Sequence, residues 1–290
     1  MFYIFYSMIW VVALLPTKVL YVVSDLLYVF VYHIFRYRRK IVRENLLCSF
    51  PDKTKNEILA TERRFYHFFV DVIFEIIKTI HLNGKDIQKR MVFLNPEIAI
   101  GQMNAGKSIL FMSSHFGNWE WLDSFALLLP ENQYMYNVYR RLKSQRMDAF
   151  MNNLRSKFKG NNVEKHDILR AMVRLRSENK VAGFGMISDQ KPSGSDHQLE
   201  VTFLNQPTYV LTGSEQLARK FDYPVLYVHM KRVKRGYYEV DLEIITTEPK
   251  KTEPFEISKK YMNLLEQDIL QQPECWLWSH NRWKHSRNKM

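Results

Sequence analysis

The chain has 290 residues, 46% of them hydrophobic and 14% aromatic, which is enough for one large α/β domain or two small ones and argues against wholesale disorder. Its formal net charge of +12 favours anionic partners (nucleic acid, acidic headgroups, an acidic carrier protein) without choosing among them. The two cysteines, Cys48 and Cys275, form no CxxC or Cys/His cluster, which excludes a zinc site with several Cys ligands, argues against a disulfide framework and fits a reducing, cytoplasmic setting.

Residues 1–35 are almost entirely apolar or aromatic, broken by Pro16 and Lys18. The cleaner stretch, Val19–Phe35, contains Asp25 and His33 and lies near the lower limit of the roughly 17–25 residues that cross a bilayer. Arg36, Arg38, Arg39 and Lys40 follow, a cluster expected on the cytoplasmic side against anionic lipid. Because the charge follows the apolar run and no small-residue cleavage site appears, the segment does not read as a cleaved signal. Asp25 and the Pro16–Lys18 break leave a full span, a helix in the interface and a buried core helix all open. Residues 1–40 are assigned to a membrane-anchoring segment and 41–290 to an α/β domain.

Residues 41–80 read as two helices. Phe50-Pro51 stops the first, and the second runs from about Lys55 to His81 ahead of Gly84. Phe65, Phe68, Phe69, Val72, Ile73, Ile76 and Ile77 recur on the second at helical spacing, a packing stripe. Ser108–Met112 and Val181–Ile187 are short apolar runs suited to buried strands. Between and after them the pattern predicts helices over 119–129, 144–158, 168–178, 213–221 and 256–271. Strands are expected over 133–139, 201–203, 224–230 and 237–245. Such alternation implies an α/β fold, a sheet covered by helices.

The chemistry concentrates in Ser113-Ser114-His115-Phe116-Gly117-Asn118-Trp119-Glu120, at the carboxyl end of the first buried strand, the edge where open α/β sheets bind ligands. Histidine is the side chain suited to removing a proton near neutral pH, and a carboxylate on its other ring nitrogen fixes the tautomer. His115 and Glu120 are five apart and would not share a helix face, so a turn at Gly117 is needed to join them. Asn118 suits an N-cap, which would put Glu120 in the first turn. There a glutamate is also favourable through the helix dipole alone.

HFGNWE resembles the H-x4-D/E motif of the lysophospholipid acyltransferase superfamily. More narrowly it resembles the late acyltransferases of lipid A biosynthesis in Gram-negative bacteria, the lauroyl/myristoyl transferase group. Asn45-Leu46-Leu47-Cys48-Ser49-Phe50-Pro51, Tyr139-Arg140 through Arg155, Ser188-Asp189-Gln190, Val201–Leu204 with Thr212-Gly213 and Leu217-Ala218-Arg219, and Trp278–Lys284 are similar to that family's elements in the same order. The likeness runs from about residue 1 to 285. Departures lie at Arg141, Lys143 and Ser144, where the family has Pro and Asn, and in the loop Lys191–Asp196. They bear on acceptor and chain length, not on reaction type.

The resemblance implies a mixed, largely parallel sheet of the glycerolipid acyltransferase type and transfer of a fatty acyl group from a thioester to a lipid hydroxyl. His115 would be the general base and Glu120 its orienting carboxylate. Backbone N–H groups near Gly117 or Asn118 would hold the oxyanion. Arg155 would contact phosphate or headgroup, with Arg140, Asp189 and Gln190 also at the substrate site. The donor implied is acyl carrier protein, with acyl-CoA second. The acceptor is a lipid A precursor, and no metal or cofactor is called for. The setting implied is the inner membrane, cytoplasmic face, without nucleic acid. His280 and His285 read as headgroup contacts or solvated tail. Rival readings are a lysophospholipid or aminolipid acyltransferase, a metal-dependent hydrolase ligated by His115 and Glu120, and a non-catalytic membrane-surface or nucleic-acid binder.

Overall fold

The short apolar runs come together in one sheet, as burial on both faces requires of parallel strands. In the computed structural model, which describes residues 2–192 and 198–284, the strands are β1 (Met91–Phe93), β2 (Ile109–Ser113), β3 (Gln133–Tyr139), β4 (Asn161–Glu164), β5 (Val181–Ile187), β6 (Glu200–Phe203), β7 (Gln206–Tyr209), β8 (Val225–Lys234) and β9 (Tyr237–Thr246). Seven of them form a sheet in the order β1-β9-β8-β2-β5-β3-β4. All neighbours are parallel except the β8–β9 hairpin, and β6 and β7 form a separate antiparallel pair. The fold is therefore α/β with a mostly parallel sheet.

The helices are α1 (Phe2–Leu14), α2 (Thr17–Val29), α3 (Arg39–Ser49), α4 (Lys55–Lys78), α5 (Gly84–Arg90), α6 (Glu97–Asn104), α7 (Gln145–Arg155), α8 (Ile168–Ser177), α9 (Gly213–Phe221) and α10 (Glu256–Gln271). Helix α2 runs on into a π-helical turn, Phe30–Ile34. A capping box starts α4: Thr54 accepts from the Glu57 backbone and Glu57 returns to the Thr54 N–H. Of its stripe, Phe65, Phe68 and Val72 are buried, while Ile73 is exposed. Every residue of β2 is buried, as a strand at the middle of a covered sheet must be.

Two local expectations change. Trp119–Leu128 is a 3₁₀ helix rather than an α-helix. Ser124 Oγ donates to the Trp121 carbonyl at 2.7 Å, the acceptor that an α-helix would give to residue 125. The short elements β1, α5, α6, β4 and β7 had no clear periodic signal in the sequence.

Candidate active site

Strand register builds the site. In the parallel pair β2–β5, Ser113 lies opposite Ile187, and the Ser188 N–H donates to the Ser113 carbonyl at 3.1 Å. Two residues further along each chain stand His115 and Asp189, at the same level of the carboxyl edge. The His115 Nδ1 lies 2.7 Å from Asp189 Oδ1, and the His115 backbone N–H donates to Asp189 Oδ2 at 3.1 Å. Trp276 Nε1 donates to the same Oδ2 at 2.9 Å.

Burial alone would raise the pKa of Asp189. The neighbouring imidazole and the hydrogen bonds from His115 and Trp276 outweigh it and hold the carboxyl below its ordinary value. An ionised carboxylate only accepts, so Nδ1 carries a proton, and in the neutral ring it is then Nε2 that holds the lone pair. That free nitrogen faces the Gln190 amide at 3.3 Å. The imidazole is 19% exposed, against 3% for Asp189, so the pair opens at the rim with its carboxylate inside.

Glu120 is elsewhere engaged. Arg155 of α7 grips it with both arms of its fork, Nε to Oε2 and Nη2 to Oε1, each 2.8 Å. Burial weakens the Arg155 charge, but the Glu120 hydrogen bonds more than restore it. Burial, then the Glu120 charge, push the pKa of the buried Asp123 well above its ordinary value. The expected His115–Glu120 hydrogen bond is therefore replaced by two pairs, His115–Asp189 and Glu120–Arg155. The chain leaves Gly117 in a 3₁₀ turn that carries Glu120 to α7, while the adjacent strand delivers the aspartate. The Arg155 fork, expected on a phosphate, is filled by Glu120. Among the described residues no group of three or more His, Cys, Asp and Glu side chains is placed to hold a metal ion.

Gly117 has φ +61°, and a Cβ there would lie 2.1 Å from Met230 Sδ, so both the backbone and the space call for glycine. Its N–H donates to the Cys275 carbonyl at 2.9 Å, and the Leu277 N–H donates to the His115 carbonyl at 3.1 Å. The closing segment thus clamps the HFG turn as a short antiparallel bridge. The Gly117 N–H is consequently taken, leaving Asn118 of the two oxyanion candidates. Asn118 makes no side-chain cap. It is fully buried, and its Nδ2 donates to Glu75 Oε2 at 2.9 Å. Tyr238 donates to the same oxygen at 2.7 Å and Tyr21 to Oε1 at 3.0 Å. Burial raises the Glu75 pKa.

Arg140 is exposed just past β3, on the same sheet edge as His115. His280 is not tail: burial pushes its pKa down to about 4, so the ring is neutral near pH 7, and Asn45 of α3 holds the carbonyls of Trp278 and His280 at 2.9 and 3.0 Å. Its Nε2 is buried without a partner among the described residues. Arg282, 2% exposed, is pushed down to about 10 by burial. His285 and residues 193–196 of the loop after Gln190 lie outside the described residues.

A family model for bacterial lipid A biosynthesis acyltransferases matches residues 1–285. The chain belongs to that family. Comparison with curated proteins finds no match. Family membership makes this protein an acyltransferase with a lipid acceptor. In this acyltransferase, sequence reasoning singled out His115 and Asp189 separately and paired neither with the other. Trp276 and Glu75 were missed. Trp276 adjoins the closing W-x-H segment and was open to suspicion on that ground. Glu75 sits in the α4 stripe as a carboxylate on an apolar face, which was the one available signal.

Proposed function

We propose that this acyltransferase moves a fatty acyl chain from an acyl carrier protein thioester to a hydroxyl of a lipid A precursor, with His115 as general base and Asp189 as its orienting carboxylate. The observation that carries this is the 2.7 Å contact between His115 Nδ1 and Asp189, which in the neutral ring makes the rim-facing Nε2 the basic nitrogen. The acceptor hydroxyl gives its proton to Nε2 as its oxygen attacks the thioester carbonyl carbon. The tetrahedral intermediate then expels the thiolate, which takes the proton back from Nε2. No acyl-enzyme, metal or cofactor enters this scheme. General-base assistance of this kind is worth about 10²–10⁴-fold.

Gln190 stands where the hydroxyl must approach Nε2 and would hold that hydroxyl or give way to it. The Asn118 backbone N–H is the remaining donor for the oxyanion. Glu120 is assigned a positioning role: it fixes Arg155 and the turn after Gly117. Arg140 and its exposed neighbours Arg141 and Lys143 form a basic edge suited to an acidic carrier protein, and acyl-CoA is the second donor. Thioester donors and two free cysteines suit the cytoplasmic face of the inner membrane.

Mass spectrometry of lipid A from cells lacking this chain tests the acceptor. The expected result is the loss of one acyl group. An unchanged acyl count, with an altered phospholipid profile, would transfer the assignment to a lysophospholipid or aminolipid acceptor.

A further inference from the structure

We propose that α1 and α2 do not cross the bilayer but lie along an anionic phospholipid surface as a monotopic pad, with the amino terminus and the catalytic domain on the same side. This rests on the membrane location proposed above and specifies its geometry.

By length and composition Thr17–Ile34, 18 residues, is long and apolar enough to cross a membrane. At 1.5 Å per residue it reaches about 27 Å, just short of a hydrocarbon core of roughly 30 Å. Its contacts point the other way. Ser24, 1% exposed, donates to Asp71 of α4 at 2.7 Å. Asp25 takes Arg235, from the β8–β9 turn, at 2.7 Å, and Arg235 also reaches Asp71. Tyr21 donates to Glu75. A Cβ at Gly236 would stand 2.0 Å from the Tyr21 hydroxyl, so the turn of the catalytic domain is shaped to the helix. At the α1–α2 joint, Lys78 of α4 donates to the carbonyls of Ala13 and Leu15, both at 2.9 Å.

These partners belong to the domain that carries His115. For α2 to span, it would have to leave them. Asp25 and Ser24 would enter hydrocarbon, and Asp71, now paired to Ser24 and two arginines, would lose a partner inside the protein. The polar face of α2 is thus satisfied by the domain, and only the opposite face remains for lipid.

That opposite face is apolar at helical spacing: Val19, Val22, Leu26 and Val29 are exposed, followed by Ile34 and Phe35. On α1, Met8 and Leu14 are exposed as well. Exposed cations flank the stripe at both ends, Lys18 before it and Arg36 and Lys40 after it. Arg39 instead turns inward to Glu62. Phosphates of one leaflet can satisfy the cations at both ends at once. An aliphatic stripe edged by cations is the chemistry of a helix lying in an anionic interface. Tyr21 and Asn118 share Glu75, so such docking would also fix the active-site turn relative to the lipid surface.

Two measurements on the full chain test this. The first places a cysteine in an amino-terminal tag and labels sealed membrane vesicles of known orientation with an impermeant maleimide, using exposed Cys48 as the reporter of the catalytic domain. The pad predicts that both cysteines label from one side. Labelling from opposite sides would overturn the pad while leaving membrane attachment intact. The second is flotation with phosphatidylglycerol vesicles. Val22→Glu/Leu26→Glu should weaken binding by about 30-fold, the order expected for withdrawing two largely exposed aliphatic side chains from lipid. Unchanged binding of that variant overturns the pad. A wild-type chain that stays soluble overturns membrane attachment itself, and one that dimerises through the stripe without lipid assigns the surface to a second copy.

Discussion

Replacing Asp189 by asparagine separates the two candidate carboxylates. Asp189 accepts three hydrogen bonds: from the His115 ring, the His115 backbone and Trp276. An amide has a single oxygen acceptor and presents an N–H₂ where the second oxygen stood. If that N–H₂ faces the ring, His115 Nδ1 must accept and the proton moves to Nε2, which can then no longer take the acceptor's proton. If it faces Trp276 and the backbone N–H instead, two buried donors are left unpaired, at about 1–3 kcal/mol each. Wrong tautomers in histidine–aspartate enzymes cost about 10⁴-fold, and loss of a general base about 10²–10⁴-fold. Asp189→Asn should therefore lower kcat by about 10²–10⁴-fold, or roughly 3–5 kcal/mol of barrier, with KM for the lipid little changed. Glu120→Gln leaves Arg155 bonded to a neutral amide and should cost KM or stability more than kcat. Steady-state transfer of radiolabelled acyl chains, with circular dichroism to confirm folding, reads both variants. A folded Asp189→Asn with kcat within threefold of wild type, beside a Glu120→Gln with a thousandfold loss, would refute the reasoning and restore the carboxylate within HFGNWE as the partner.

Gly117→Ala combines a left-handed backbone with a Cβ that meets Met230, and should cost about 2–4 kcal/mol in denaturant unfolding, with activity falling alongside. Glu75→Ala removes the acceptor that Tyr21, Tyr238 and Asn118 share; stability should fall by about 1–3 kcal/mol per buried donor left unpaired and kcat should fall through Asn118, whereas Glu75→Gln, whose N–H₂ can donate to the Tyr21 oxygen, should be milder. His280 is held neutral down to about pH 4, while the unfolded histidine protonates near its ordinary value of about 6.5. Its depressed pKa therefore adds stability above pH 6.5 that is lost as pH falls from there towards 4, by about 3 kcal/mol at most. Unfolding curves at pH 7.5 and 4.5 should lie closer together in His280→Asn than in the wild type; an equal or larger separation contradicts the assignment.

The elements that set the core were legible because their periodicity is strong. The β2 and β5 apolar runs, the α4 stripe and the span of α10 emerge within a residue or two of where the sequence puts them. The partnership at the site was not legible, because it depends on which strands are neighbours. His115 and Asp189 are 74 residues apart and meet only once Ser113 aligns with Ile187. Glu120 lies close to His115 in sequence, and that proximity misleads, since a 3₁₀ turn carries it to an arginine 35 residues on. Likewise Asn118 reads as a cap by residue type, but a buried carboxylate on α4 offers its amide a better partner than the helix terminus does. The amphipathic character of α2 was hidden because its inward polar residues, Ser24 and Asp25, are few and look like defects in a span until their partners are seen.

Incubating the purified protein with a fatty acyl carrier protein thioester and a lipid A precursor, and weighing the lipid by mass spectrometry, addresses the transfer reaction and its base together. The wild type should add one acyl chain to the precursor, and folded His115→Ala should slow that addition by at least a hundredfold. A precursor left unmodified by the wild type, or modified as fast by His115→Ala, would contradict it.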